Sequence, residues 1–136
     1  MNCAAITVSK DETALGDAYL MFGTHTTERV SGPMLESVQS LVKDVRAVRS
    51  LGSACLHLAW TAAGRCTGFW ELDLNAWDLA AGALLVAEAG GRVTDTRGEA
   101  YTLSTRDMLA TNGAPAVHDG LVTRLVENGW DSPRAD

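Results

Sequence analysis

The stretch "WELDLNAWDLAAGALLVAEAGGRVTD", Trp70 to Asp95, holds a strand end, a helix and a second strand in immediate succession. Trp70 belongs to the apolar run "CTGFWEL" (66–72), which reads as a strand. Asn75 then stands as an N-cap, with Asp78 three residues on, where a carboxylate can return to the cap's backbone N–H and meet the positive end of the helix dipole. The residues that follow are almost all Ala, Gly, Leu and Val, the composition of a buried helix, and the Gly90-Gly91 pair ends it. "RVTDT" (92–96) is the next strand.

Working outward, "AAITVS" (Ala4 to Ser9) and "DAYLMFG" (Asp17 to Gly23) read as short strands on either side of a polar "KDETALG". "THTTERVSG" (24–32) reads as loop, and Pro33 opens a helix to about Asp44, with Leu35, Val38, Leu41, Val42 and Val45 at helical spacing. "VRAVRS" (45–50) is a short strand. "GSACLHLAWTAAG" (52–64) is a helix with Ser53 as N-cap and Gly64 as its stop. "DMLATN" (107–112) is a last strand, and a helix runs from Pro115 to about Glu127. The order β-β-α-β-α-β-α-β-β-α predicts an α/β fold, a mixed β-sheet flanked by helices. With no repeat or linker, residues 1–128 form one domain and 129–136 a tail.

A chain of 136 residues, 46% hydrophobic and 21% charged, is long enough for one well-buried core and is no candidate for intrinsic disorder. Its net charge of −6 argues against a nucleic-acid partner, although a local site can still bind a small anion. Three cysteines, Cys3, Cys55 and Cys66, form no CxxC pair and suit a reducing compartment. Nothing resembles a signal peptide or a membrane span, so the expectation is a soluble cytoplasmic protein with no membrane partner.

Two readings compete for Asp78. As part of a capping box it stabilises the helix by about 1 kcal/mol and needs no other role. Yet Ala81, Gly82, Leu85 and Ala89 follow it on a small apolar face expected to pack against protein, and no Lys or Arg lies within a turn on that side. A carboxylate there calls for a cation, and Mg²⁺, a hard ion that takes carboxylate and phosphate oxygens, fits. Glu71, seven residues earlier, sits where a strand feeds a helix, the place where open α/β sheets put ligand groups; alone it reads as a solvated strand end.

Gly52 lets a backbone approach a ligand, and the N–H groups of Ser53 and Ala54 open a helix, a place for an anion or sugar hydroxyls; such a start is more often only a cap. Asp73 reads as solvated, His57 as a surface or partly packed histidine, and His25 and His118 as isolated. Trp60, Phe69, Trp70 and Trp77 read as core or rim aromatics. "AGGRVTD" lacks the GxGxxG pattern of a dinucleotide site.

Taken together, the GSA turn, "AAGR" (62–65), a glutamate seven residues before the Trp77-Asp78 pair, and "EAGG" (88–91) resemble the C-terminal half of the inositol monophosphatase family. The resemblance extends from "AAITVS" to "DMLATNGAPAVHDGLVTRL". It implies the second sheet of an αβαβα sandwich and a Mg²⁺-dependent phosphomonoesterase. It implies Asp78 as a metal ligand, Glu71 as a contact to substrate hydroxyls, and Gly52, Ser53 and Ala54 as part of the substrate seat. Arg49 matches an arginine that often precedes the turn, with no role assigned. His57 stands where an acidic or amide residue is common.

The family's GEE-type glutamate pair and DPLDGT-type segment, which carry the remaining metal ligands and activate the attacking water, have no counterpart in this sequence. Two-metal phosphoryl transfer needs several converging carboxylates, which one aspartate does not provide. The expectation is therefore a C-terminal part of a phosphomonoesterase, inactive alone, with no complete catalytic set. Its partners would be a small phosphate ester (inositol phosphate, histidinol phosphate, or a sugar or nucleotide phosphate) and an N-terminal half or a second copy. The alternative is a non-catalytic folding or oligomerisation domain.

Overall fold

The structure is a computed structural model, and it describes residues 4–24 and 27–127. Five strands form one sheet: β1 (Tyr19–Phe22), β2 (Ala47–Arg49), β3 (Gly68–Glu71), β4 (Arg92–Thr94) and β5 (Met108–Thr111). Four helices join them: α1 (Glu28–Leu41), α2 (Ala54–Ala62), α3 (Ala76–Glu88) and α4 (Pro115–Glu127). The strand order is β2-β1-β3-β5-β4. β1 pairs parallel with β2 and β3, while β3–β5 and β5–β4 are antiparallel. This is the mixed, helix-flanked α/β sheet that the alternation predicts. No helix among the described residues is long and apolar enough to cross a membrane.

The chain leaves β1 for β2 on one side and returns from β2 to β3 on the other. Right-handed crossovers in opposite directions put their helices on opposite faces of the sheet. One core, with Val30, Met34 and Leu41 of α1 and Val117, Leu121 and Leu125 of α4, lies under Leu20, Trp70 and Leu109. The other, with Leu58 and Ala62 of α2 and Leu79, Ala83 and Val86 of α3, lies over Met21, Phe69, Met108 and Ala110. β1, β3 and β5 each feed both cores by alternation.

Two elements differ from the expectation. Ala4–Ser9 is no strand. Val8 is buried and its N–H donates to the Ala89 carbonyl at 3.1 Å, so this segment satisfies the end of α3 instead of joining the sheet. It also crosses Gly64, where an added β-carbon would lie 3.0 Å from the Thr7 carbonyl oxygen. α1 starts at Glu28 rather than Pro33, taking in half of the expected loop. Pro33 removes one helical bond, the one to the Arg29 carbonyl, yet the helix continues because Val30, Met34, Ser37 and Leu41 bury one continuous stripe. Ser37 also accepts the Trp70 indole N–H at 3.0 Å, which ties α1 to β3. Residues 128–136, which include the expected tail, lie outside the described residues, as does His25.

Candidate functional site

The carboxyl ends of β1 and β3 and the amino ends of α2 and α3 meet at one edge of the sheet. Because the crossovers diverge from β1, a crevice opens there, the position where ligands bind in open α/β sheets. A cavity of about 380 Å³ occupies it, lined by Gly23, Thr24, Gly52, Ser53, Ala54, Cys55, Glu71, Leu74 and Asp78. All five residues singled out in the sequence, Gly52, Ser53, Ala54, Glu71 and Asp78, therefore face one space.

Each is placed by local chemistry. Gly52 has φ +74°, the left-handed region that favours glycine, and turns the chain from β2 into α2. Ser53 caps α2, its hydroxyl accepting from the Leu56 N–H at 3.3 Å, so the first-turn N–H groups point toward the cavity side of the helix end. Asp78 Oδ2 accepts from the Asn75 N–H at 3.1 Å, the returning arm of a capping box. The capping reading of Asp78 is thus realised. Asn75 Oδ1 is held in turn by Arg106 at 3.0 Å.

Glu71 is not a solvated strand end: it is only 6% exposed. Burial, with the Asp78 carboxylate adding repulsion, pushes its pKa up to about 7. Two acids share one cavity, in which the buried one resists ionisation. That is an arrangement a hard divalent cation relieves, so Asp78, with Glu71 beside it, fits one ligand position of a Mg²⁺ site. The two do not make a whole site. Among the described residues no three His, Cys, Asp or Glu side chains gather as a metal cluster.

Several neighbours differ from their sequence reading. His57 is fully buried, not a surface histidine: its ring packs on Phe69 with centroids 5.1 Å apart, and its Nε2 accepts the Leu51 N–H at 3.1 Å, bracing the turn before Gly52. Burial holds its pKa below the usual histidine value. His118 belongs to no metal-ligating group among the described residues but is buried between Thr94 and Thr111, which bond both its ring nitrogens. Asp73 is ion-paired with Arg106 at 2.8 Å rather than merely solvated. Phe69 and Trp70 are core, whereas Trp77 is 80% exposed. On α3 the buried face is Leu79, Gly82, Ala83 and Val86; Ala81 and Leu85 point outward.

The sequence reading missed Gly23 and Thr24, which follow β1 into the cavity. A glycine closing an apolar strand next to a predicted crevice was the available signal. Arg49 does not line this cavity. Its guanidinium donates to the Val48 carbonyl at 2.8 Å on the edge strand.

Comparison with known proteins gives three concordant results. The model of the inositol monophosphatase family matches residues 1–130. An inositol-1-monophosphatase of Rhizobium meliloti is 44% identical over 100 residues, covering 73% of this chain and 38% of that protein. A Nus factor SuhB of Pseudomonas aeruginosa is 47% identical over 78 residues, 57% of this chain and 29% of that one. Among solved structures, an IMPase of Thermotoga maritima superposes with a TM-score of 0.83 at 31% identity, covering 93% of this chain and 47% of its own. The chain spans less than half the length of the relatives it matches.

Proposed function

Because the chain belongs to the inositol monophosphatase family, we propose that its crevice is the substrate-seating half of a Mg²⁺-dependent phosphomonoesterase site. The observation that carries this is the convergence of Glu71, Asp78 and the Gly52–Ala54 turn on one cavity at the diverging crossovers. The N–H groups at the start of α2 meet an anionic or hydroxyl-rich ligand, and Gly52 lets it come close. Glu71, protonated or ionised near neutral pH, accepts from or donates to a substrate hydroxyl and so orients the alcohol. Asp78, fixed by its cap bond, offers an oxygen to the metal. When bound, Mg²⁺ supplies a Lewis acid for phosphate oxygens and lowers the pKa of its water.

The hydrolysis takes more carboxylates than these two. In this proposal they come from a segment equivalent to the part of the relatives that this chain does not span. The helices support that arrangement. α2 carries no charged residue and α3 only Asp78 and Glu88, so both are apolar nearly all round, as helices buried on two sides are. Their outer face leaves Leu56 40%, Leu84 62% and Trp77 80% exposed. On α1 and α4 the exposed positions are more mixed, Leu35 and Val126 standing among Glu28, Arg29, Glu36, Gln39, Asp119, Thr123 and Glu127.

The test is complementation. The chain is mixed with a separately made polypeptide covering the remaining part of the Rhizobium relative, and phosphate release from inositol phosphate is followed with Mg²⁺. Activity in the mixture that is absent from either part alone and lost in Asp78→Asn supports the proposal. Activity indifferent to Asp78→Asn, or none in a mixture that forms a stable complex, overturns it.

A further inference from the structure

A second cavity, of about 360 Å³, opens elsewhere, at the start of β1 and along the edge strand β2. It is lined by Arg46, Arg49 and Arg65, with Tyr19, Gly64 and Glu12, and shares no residue with the crevice at the other end of the strands. The register explains how the arginines meet. Tyr19 pairs with Ala47 and Met21 with Arg49, so Ala47 and Arg49 project to the α2 side of the sheet. There the left-handed Gly64 (φ +68°) turns the end of α2 and delivers Arg65 beside them.

These arginines differ from the others. Arg92, Arg106 and Arg124 each pair with an aspartate, Asp119, Asp73 and Asp44 respectively. Arg29 and Arg97 are also engaged. Among the described residues Arg46 and Arg65 make no side-chain hydrogen bond or ion pair, and Arg49 makes only the bond to its neighbour's carbonyl. Placing three arginines on one cavity with a single acid among them is unfavourable by their mutual repulsion, and in a chain with a net charge of −6 further compensating acids were available. The one carboxylate in the cavity, Glu12, accepts from the Ser9 hydroxyl. Three positive charges against one negative leave the cavity complementary to a dianion.

We infer that this cavity is a binding site for a small phosphate dianion, separate from the catalytic crevice and independent of its chemistry. Guanidinium forks match phosphate oxygens bidentately, and the volume suits a phosphate with a small organic group against the half-buried Tyr19 ring. A nucleic acid fits poorly, because the positive charge is confined to one concavity on an acidic surface.

The test is an amide NMR titration of the chain with inorganic phosphate and, separately, with glycerol phosphate, at ionic strength held constant with chloride. Saturable shifts at Ala47, Gly64 and Arg65 are expected in both arms. Tighter binding of the glycerol ester identifies an organic phosphate as the ligand, and equal binding identifies phosphate itself. In Arg46→Gln/Arg65→Gln, exposed changes that leave the fold intact by circular dichroism, affinity falls about tenfold or more. Asp78→Asn leaves these shifts unchanged, which separates this site from the crevice. Shifts confined to residues 52–55, shifts that chloride alone reproduces, or affinity unchanged in the double variant overturn the inference.

Discussion

The carboxyl group of Glu71 occupies the volume that a β-carbon on Gly23 would fill: an alanine there overlaps Cδ and both carboxyl oxygens. The end of β1 and the end of β3 are adjacent parallel strands, and Gly23 N–H donates to the Trp70 carbonyl at 3.3 Å, so neither backbone can yield. Gly23→Ala therefore displaces the Glu71 side chain from its place beside Asp78. The expected result is a Glu71 pKa that falls toward the ordinary carboxylate value in a carboxyl-carbon NMR titration, because the atoms displaced are the far end of a flexible side chain moved out of its buried place. An unmoved Glu71 pKa would contradict the placement.

Glu71 also makes stability depend on pH. Its folded pKa, about 7, lies above the 4.5 of the free group. The folded state therefore holds its proton longer, and stability declines as pH rises from about 4.5 and levels off above 7. The shift corresponds to about 3 kcal/mol for this nearly buried group. Urea unfolding of Glu71→Gln should show a smaller decline over that window than the wild type, and the variant should be the more stable at pH 8. Added Mg²⁺ should restore stability to the wild type at pH 8 and do so less in Asp78→Asn.

What was legible in the sequence was whatever a local rule decides. The Asn75–Asp78 box, the Ser53 cap, the Gly64 stop and the Gly90-Gly91 end are contacts within a turn or two, and all four helices follow from them or from periodicity. The crevice was legible because strand ends and helix starts can be counted. Burial by face was not. α3 is apolar on both sides, so its sequence does not tell Leu79, Gly82 and Val86, which pack on α2 and the sheet, from Trp77, Ala81 and Leu84, which do not. His57 and Glu71 are buried by elements distant in sequence, and Ala4–Ser9 was drawn to the end of α3 by a carbonyl that no propensity announces.

His118 gives the opposite pH dependence. The Thr94 hydroxyl donates to the Asp95 carbonyl, so it accepts from His118 Nε2–H at 3.0 Å, and Nδ1 accepts from the Thr111 hydroxyl at 2.8 Å. This bonding fixes the neutral ring. Burial, aided by Arg92, pulls its pKa down to about 4. The unfolded chain thus takes up this proton first, and stability is full above about 6.5 and declines toward 4. The cost is about 3 kcal/mol for this fully buried ring. His118→Gln should flatten that part of the acid limb in urea unfolding, and nitrogen NMR should show the Nε2–H tautomer at pH 7.

Gly82 sets the distance between α2 and α3. An added β-carbon would stand 2.5 Å from the Leu58 β-carbon. Alanine gains up to about 1 kcal/mol in helix propensity, but Leu58 Cβ is fixed to its backbone and no rotamer change removes the overlap. Overpacking, about 1–3 kcal/mol, therefore wins. Gly82→Ala should lower the urea midpoint, whereas Ala81→Ser on the exposed side of the same helix should leave it within about 0.5 kcal/mol.

The outer stripe of α3 separates stability from association. Trp77, Ala81 and Leu84 recur one turn apart on the side away from the sheet, and Trp77 and Leu84 remain mostly exposed. Such a patch favours contact with another apolar surface over contact with water. Without a complementary polypeptide, the chain is expected to self-associate in a concentration-dependent way in sedimentation velocity. Trp77→Gln/Leu84→Gln removes apolar area that the folded monomer never buries, so its unfolding free energy should stay within about 1 kcal/mol of the wild type while self-association weakens. A double variant that associates as strongly as the wild type would place the sticky surface elsewhere. A double variant that unfolds would mean that these side chains already pack within the monomer.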